Sequence, residues 1–157
     1  MSLLCTIPGI SITAASSIIA EIGIDMSSFP TAEHLCSWAG LAPGNHESAG
    51  KRKSVAVNKG NPYIKSMLCE VAWVIAGKRN TYLSGWYWRI KQHRGAKRGI
   101  IALARKILVI IYTMLKSEKS YDESAFEQRK QRNQQKRTSK LIHELTRLGY
   151  HVEQVAG

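Results

Sequence analysis

Between Lys97 and Lys116 the chain carries its longest apolar stretch, Ile100 to Leu115, interrupted by Arg105 and Lys106. Following Gly95, this segment predicts one long apolar helix whose first half is basic. The two cations in its middle exclude a membrane span, which requires about 20 apolar residues with few or no charges.

The rest of the chain has the same helical character. Pro8-Gly9 marks a turn, Ser11 or Thr13 caps the helix after it, Ile18, Ile19 and Ile22 form its apolar stripe, and Gly23 stops it. This start resembles half of a helix-hairpin-helix element, in which a glycine turn offers backbone N–H groups to a DNA phosphate, making Gly9 a candidate contact. A capped helix start that merely packs on the core fits the same residues. A short helix is predicted over Thr31–Trp38, with Leu35 and Trp38 inward and Gly40 closing it. Asn61-Pro62, an N-cap with proline in the first turn, opens a helix to about Gly77. Others are predicted over Thr81–His93 and, strongly charged, over Ser124–Leu148. Leu141, Ile142, Leu145 and Leu148 give the last one something to pack, and a short strand is expected at Tyr150–Glu153. The expected architecture is all-α: a compact multi-helix domain over residues 1–120, and a charged helical tail over residues 121–157. The opening Met-Ser-Leu reads as the start of an excised domain.

Charge narrows the partners. The net charge is +12, and it is unevenly placed. The first 50 residues hold Glu21, Asp25, Glu33 and Glu47 and no Lys or Arg, whereas Lys51 to Lys106 hold fourteen bases against the single acid Glu70. Cations carried on folded elements suit a nucleic acid, because neutralising phosphates releases condensed counterions; a basic face kept for solubility is the alternative. The charged run Arg129–Lys140 reads as a solvated helix or as a contact for nucleic acid or a partner subunit. Cys5, Cys36 and Cys69 are scattered, lack CxxC spacing and follow no signal peptide, so they read as reduced, small hydrophobes in a cytoplasmic protein. His34, His46, His93, His143 and His151 show no ligand spacing, and no metal is assigned to them.

Gly40–Asn61 is the least regular segment, and a long structureless loop in a compact domain is uncommon unless it is functional. Only Glu33, Glu47 and Glu70 lie near it, too few for a two-metal nuclease. No phosphate loop, zinc-protease motif or nucleophile elbow occurs. The segment does contain Ser48, beside the small Ala49 and Gly50, followed by Lys51, Arg52 and Lys53. A hydroxyl attacking a phosphodiester needs an approachable oxygen, cations for the charge on the equatorial oxygens, and in-line positioning. Small neighbours and three cations meet the first two needs, and His46 or Glu47 is a candidate proton acceptor. These residues alone leave Ser48 as either a loop serine or a nucleophile. Trp73, Trp86, Tyr87 and Trp88 are core aromatics or base-stacking groups, and three consecutive ones cannot all face one core.

WAGLAPGNHESAGKRKSVAVNKGNPYIKSMLCEVAW, Trp38 to Trp73, resembles the signature of the insertion sequence 110/116/902 family of transposases. IPGI…TAASSIIAEIG before it, and Tyr82, Arg89, RGAKRGIIALARKILVIIYTML and LGYHVE after it, stand in family order. The similarity runs from about Leu4 to Val155 and implies the serine-bearing carboxy-terminal domain. It implies that Ser48, in Glu47-Ser48-Ala49-Gly50-Lys51, is the recombination nucleophile. Lys59-Gly60-Asn61 matches the motif before the long helix, with a backbone-contacting role, and Lys97-Arg98 matches a basic pair that opens the apolar helix. With Gly9 from the helix start and Gly50, Lys51, Arg52 and Lys53 from the loop beside Ser48, the candidate DNA-binding set is Gly9, Gly50, Lys51, Arg52, Lys53, Lys59, Gly60, Asn61, Lys97 and Arg98. The family also has an amino-terminal nuclease domain holding Mg2+ on four carboxylates, and a helical spacer. The 157 residues show neither, so no cofactor is expected in this chain and strand cleavage and rejoining is expected in concert with that domain. Partners implied by the resemblance are DNA, a structured guide RNA and further copies of the protein. The alternative is a non-catalytic helix-hairpin-helix module that only grips nucleic acid.

Overall fold

The computed structural model describes residues 3–43, 46–48, 51–54, 60–78 and 80–153. Six α-helices are seen among them: α1 (Ile12–Ile22), α2 (Ala32–Trp38), α3 (Pro62–Gly77), α4 (Tyr82–Arg94), α5 (Ala96–Ser117) and α6 (Ser124–Arg147). Single 3-10 turns at Leu4–Thr6 and Met26–Ser28 precede α1 and α2. The architecture is all-α, as expected. Its one departure is a small antiparallel ribbon of β1 (His46–Ser48) and β2 (Lys51–Ser54) inside the segment expected to be irregular. Too short and too polar to build a core, the ribbon leaves the fold class unchanged. Tyr150–Glu153, the expected terminal strand, pairs with no other strand among the described residues. A strand needs a partner for its backbone groups, and among the described residues this segment is paired with none.

Local chemistry explains where the helices start. Ser11 accepts a hydrogen bond from the Ala14 amide at 3.1 Å, Thr31 from the His34 amide at 3.4 Å, and Thr81 from the Ser84 amide at 3.2 Å. Each satisfies one of the N–H groups that a helix start leaves without an intrahelical partner. Asn61 caps α3 twice, accepting from Tyr63 at 2.9 Å and Ile64 at 3.4 Å. At the far end of α2 the amides of Gly40 and Leu41 donate back to Ser37 and Cys36, a left-handed closure that the φ of +66° at Gly40 makes possible.

The chain divides into two compact parts, Met1–Tyr121 and Asp122–Gly157. In the first, α5 is the central element and packs against α2, α3 and α4. Its Leu103, Ile107, Leu108 and Ile111 are fully buried, together with Ile64, Leu68 and Ile75 of α3, Leu35 of α2 and Ile18 of α1. Burying each such side chain stabilises by about 1.5–3 kcal/mol, so this apolar helix is what the others assemble around. Polar ties fix the packing. The Tyr112 hydroxyl lies 3.0 Å from the Phe29 carbonyl and 3.1 Å from that of Pro30. Ser84 Oγ donates to the Ala76 carbonyl at 3.1 Å, one of the terminal carbonyls that α3 cannot satisfy itself.

The second part is α6, whose exposure runs its full described length. Leu141, Ile142, Leu145 and Leu148, expected to pack, are 39–64% exposed. The helix closes on Gly149 at φ +87°, with the Tyr150 amide donating to Leu145 at 3.0 Å.

Trp38, expected to point inward, is 37% exposed, its ring 5.6 Å from that of Phe29. Tyr87 is buried while Trp88 is half exposed, in keeping with the limit that three consecutive aromatics set. Cys36 is buried and Cys5 and Cys69 are half-buried, all three as free thiols. Burial pushes the Cys36 and Cys69 thiols above the usual thiol range, against a smaller opposing pull from Arg105 on Cys36 and from Lys65 on Cys69. Neither is disposed to act as a nucleophile.

Candidate nucleic-acid interface

The ribbon carries Ser48 at the end of β1, and register pairs Ser48 with Lys51 and Glu47 with Arg52. His46 pairs with Ser54, so β2 has one residue more than β1 between these pairs, and Lys53 is the extra one. Such a bulge bends a strand and breaks its regular pairing. Ser48 and Lys51 are joined by Ala49 and Gly50 alone, the connection length of the tightest hairpins. Gly50 and Lys59 lie outside the described residues. For Ser48, Lys51, Arg52 and Lys53 the described feature is the backbone: the candidate nucleophile and the first candidate cation are direct cross-strand neighbours.

What holds the base of this segment is clearer still. Gly60 and Gly40, the two ends of the segment, meet. A Cβ built on Gly60 would lie 2.2 Å from the Gly40 nitrogen and 2.6 Å from the Trp38 carbonyl oxygen, and the Asn61 amide donates to that same carbonyl at 2.9 Å. The Asn61 side chain completes the closure. Its oxygen caps α3, and its Nδ2 donates to Glu21 Oε2, near the end of α1, at 3.0 Å. The start of α3, the end of α2 and the end of α1 are therefore clamped at one point. Replacing Asn61 with Ala should cost about 1–2 kcal/mol from the cap, with a further contribution from Glu21. Urea denaturation checks it: a midpoint unchanged within error would show that the clamp contributes nothing.

The remaining candidates lie elsewhere. Gly9 adopts φ +110°, and a Cβ there would come within 2.7 Å of Ile75 Cγ1, so the turn before α1 is seated against α3. The element before it is one 3-10 turn, Leu4–Thr6. Lys97 and Arg98 are exposed in the first turn of α5, whose N-cap, Gly95, offers no side-chain cap. Two cations oppose the helix dipole at that end. The last turn of α4 adds Lys91, His93 and Arg94, so one corner of the domain collects five basic side chains over eight positions. From Val71 to Ser117 the sequence has no Asp or Glu.

Among the described residues no three His, Cys, Asp or Glu side chains gather as a metal site, and no helix is long and apolar enough to cross a membrane. A groove of about 620 Å³ between the Met26–Ser28 turn and the end of α5 is lined by Asp25 and Glu118 among others. Ser27, through its hydroxyl and then its amide, holds the Asp25 carboxyl below its usual range. A carboxylate fixed there repels phosphate. Sequence reasoning missed Glu21, which reaches Asn61 from 40 residues away, and the Lys91–Trp88 pair described below. Glu21 had no local signal, whereas the second pair follows from helical spacing.

Residues 1–89 match the model of the Transposase IS116/IS110/IS902 family. The pilin gene-inverting protein of Moraxella bovis is 35% identical over 130 residues, 80% of this chain and 40% of that protein. Its counterpart in Moraxella lacunata matches over the same extent. The transposase for insertion sequence element IS1111A of Coxiella burnetii is 28% identical over 120 residues, 74% of this chain and 33% of that protein. The chain thus spans about two fifths or less of the length of these relatives. No solved structure matches. With over half of its residues inside the family model, the chain belongs to the IS116/IS110/IS902 family of transposases.

Proposed function

We propose that this chain is the DNA-handling, serine-bearing part of a transposase, and that Ser48 supplies the hydroxyl for strand cleavage and rejoining. The observation that carries the proposal is the register of the ribbon, which sets Ser48 opposite Lys51. Family membership adds to it, because residues 1–89, which match the family model, include Ser48.

In this reading Ser48 Oγ attacks the phosphorus of the scissile diester, a serine–phosphate bond forms, and the bond to the departing deoxyribose oxygen breaks. The serine proton passes to a base, and the departing oxygen takes one up. Attack by the hydroxyl of an incoming strand reverses these steps and frees the serine. Lys51, Arg52, Lys53 and Lys59 neutralise the backbone and the charge on the equatorial oxygens. The Gly40–Gly60 contact and the Asn61–Glu21 clamp act through the backbone, by fixing where the ribbon leaves the helical core. Any Mg2+ chemistry belongs to a nuclease domain elsewhere in the complete transposase. Guide RNA, further copies of the protein and a cytoplasmic location belong to the same proposal.

A covalent test is direct. Incubating the complete transposase with a nicked, cleavage-trapping DNA and digesting the product should yield a nucleotide-bearing peptide that contains Ser48. Attachment to any other residue overturns the assignment.

Binding itself is read by salt titration. Each neutralised phosphate adds about 0.9 to the slope of log affinity against log salt for duplex DNA. Lys97→Ala and Arg98→Ala should each reduce that slope by about that amount. An unchanged slope would mean that the α5 pair does not meet the backbone.

A further inference from the structure

Trp73 of α3 and Trp88 of α4 are 54% and 50% exposed, although they flank a tyrosine, Tyr87, that is 2% exposed. Tyr87 meets both edge-on, with ring centroids 6.4 Å from Trp73 at 62° and 5.6 Å from Trp88 at 70°. Trp88 Nε1 donates to the Ala76 carbonyl at 3.2 Å, so its one polar atom is satisfied and its plane is fixed. Lys91 Nζ stands 4.0 Å from the Trp88 ring centroid. The result is two half-exposed aromatic rings, each held edge-on by the buried Tyr87, with Lys91 lying over one face of Trp88.

From this geometry we infer that the α3–α4 face is a stacking platform for unpaired nucleotides. Flat rings whose positions are already fixed lose little freedom when a base stacks on them, and every base has a π-face to offer. The charge around them selects the occupant. Glu70 lies one helical turn from Trp73, but the stretch from Val71 to Ser117 that follows has ten Lys or Arg and no carboxylate, an excess that suits a ligand carrying a phosphate with each base. Paired bases in a duplex keep their faces stacked on one another, so the ligand is single-stranded. The platform is also separate from the ribbon. Trp73 lies eleven residues into α3 from Pro62, roughly 16 Å along the axis at about 1.5 Å per residue, whereas the ribbon joins at the Pro62 end.

The inference rests on the proposal that the chain handles nucleic acid, but not on the role of Ser48. The test is binding of the 157-residue chain to a 20-nucleotide oligo(dT), an oligo(U) of the same length and a 20-base-pair duplex. Intrinsic tryptophan fluorescence serves as a second readout. Wild type should bind both single strands with quenching, because stacking reads the base face and not the sugar hydroxyl. Trp73→Ala and Trp88→Ala should each weaken single-strand binding by roughly 5- to 100-fold, the range for loss of one stacked base, with duplex affinity and the salt slope unchanged. Trp88→Phe keeps a ring but loses the bond to Ala76, so it should retain most of the affinity; loss equal to that of Trp88→Ala would mark the indole as structural only and overturn the inference at that residue. Single-strand binding and quenching unchanged in both Ala variants overturn the platform while leaving the nucleic-acid reading intact. Wild type that binds none of the three overturns both.

Discussion

Recombination by the complete transposase should fall by at least about 10⁴-fold when Ser48 is replaced by Ala, the scale seen when an enzyme loses its attacking group, while DNA affinity stays close to that of the parent. The expectation comes from the position of Ser48 opposite Lys51 in the ribbon and from its place within the residues that match the family model. A serine that only bound phosphate would act alike on the ground state and the transition state, so its loss would weaken binding along with turnover. The measurement is paired: a recombination assay on donor and target DNA, and an equilibrium binding assay with the same DNA. Undiminished recombination would remove Ser48 from the chemistry and leave a binding module. A parallel loss of binding and recombination would make it a contact residue.

The second large effect is expected where no chemistry occurs. Gly60→Ala should destabilise the helical part by about 3 kcal/mol or more, the upper range of overpacking. The reason is that the new methyl would meet backbone rather than a side chain: the Gly40 nitrogen at 2.2 Å, the Gly40 Cα at 2.5 Å and the Trp38 carbonyl oxygen at 2.6 Å. Helix termini cannot move aside as a flexible side chain can, so α3 must shift relative to α2 and the Asn61–Trp38 hydrogen bond is lost with the shift. Thermal unfolding followed by circular dichroism should show a midpoint lower by roughly 10 °C for a domain of this size. Gly77, whose added Cβ would meet nothing within 4 Å, is the control, and its Ala variant should melt at or above the parent temperature. A Gly60→Ala protein as stable as the parent would mean that the two segment ends are not in contact.

These two predictions differ in where their grounds could be read. Ser48 stands out in the sequence because a serine, two small residues and three cations lie within six positions, but those residues alone leave it a loop serine or a nucleophile, and only the resemblance makes it the candidate. The helices were legible because their signals are local. Asn61-Pro62, Ser11, Thr31 and Thr81 cap helices through groups two or three residues away, and the 3.6-residue period of apolar positions in α3 and α5 needs no partner to be seen. Gly60, by contrast, reads in the sequence as part of Lys59-Gly60-Asn61, a motif suited to touching a backbone. The backbone it touches in the structure is that of its own chain, twenty residues earlier.

The ribbon is a similar case. Gly40–Asn61 lacks the alternating pattern that marks a half-buried strand, because a two-stranded ribbon with no sheet to join has no face that must be apolar. The aromatic residues divided for a related reason. Spacing limited how many of Trp86, Tyr87 and Trp88 could be buried, but the packing of α4 against α3 and α5 put Tyr87 in the interior and left Trp88 half exposed.

The sequence by itself determined the helical class, the helix starts, the concentration of cations between Lys51 and Lys106, and the family, because each is written in near neighbours or in an unbroken motif. Only the tertiary structure decided that Gly60 closes on Gly40, that Glu21 secures Asn61, that Ser48 faces Lys51 across a ribbon, and which tryptophans meet solvent. The Ser48–Lys51 pairing depends on backbone pairing across a short connection, whereas the others depend on groups brought together by the burial of α5 beneath α2, α3 and α4, a cooperative packing that no local stretch of residues encodes.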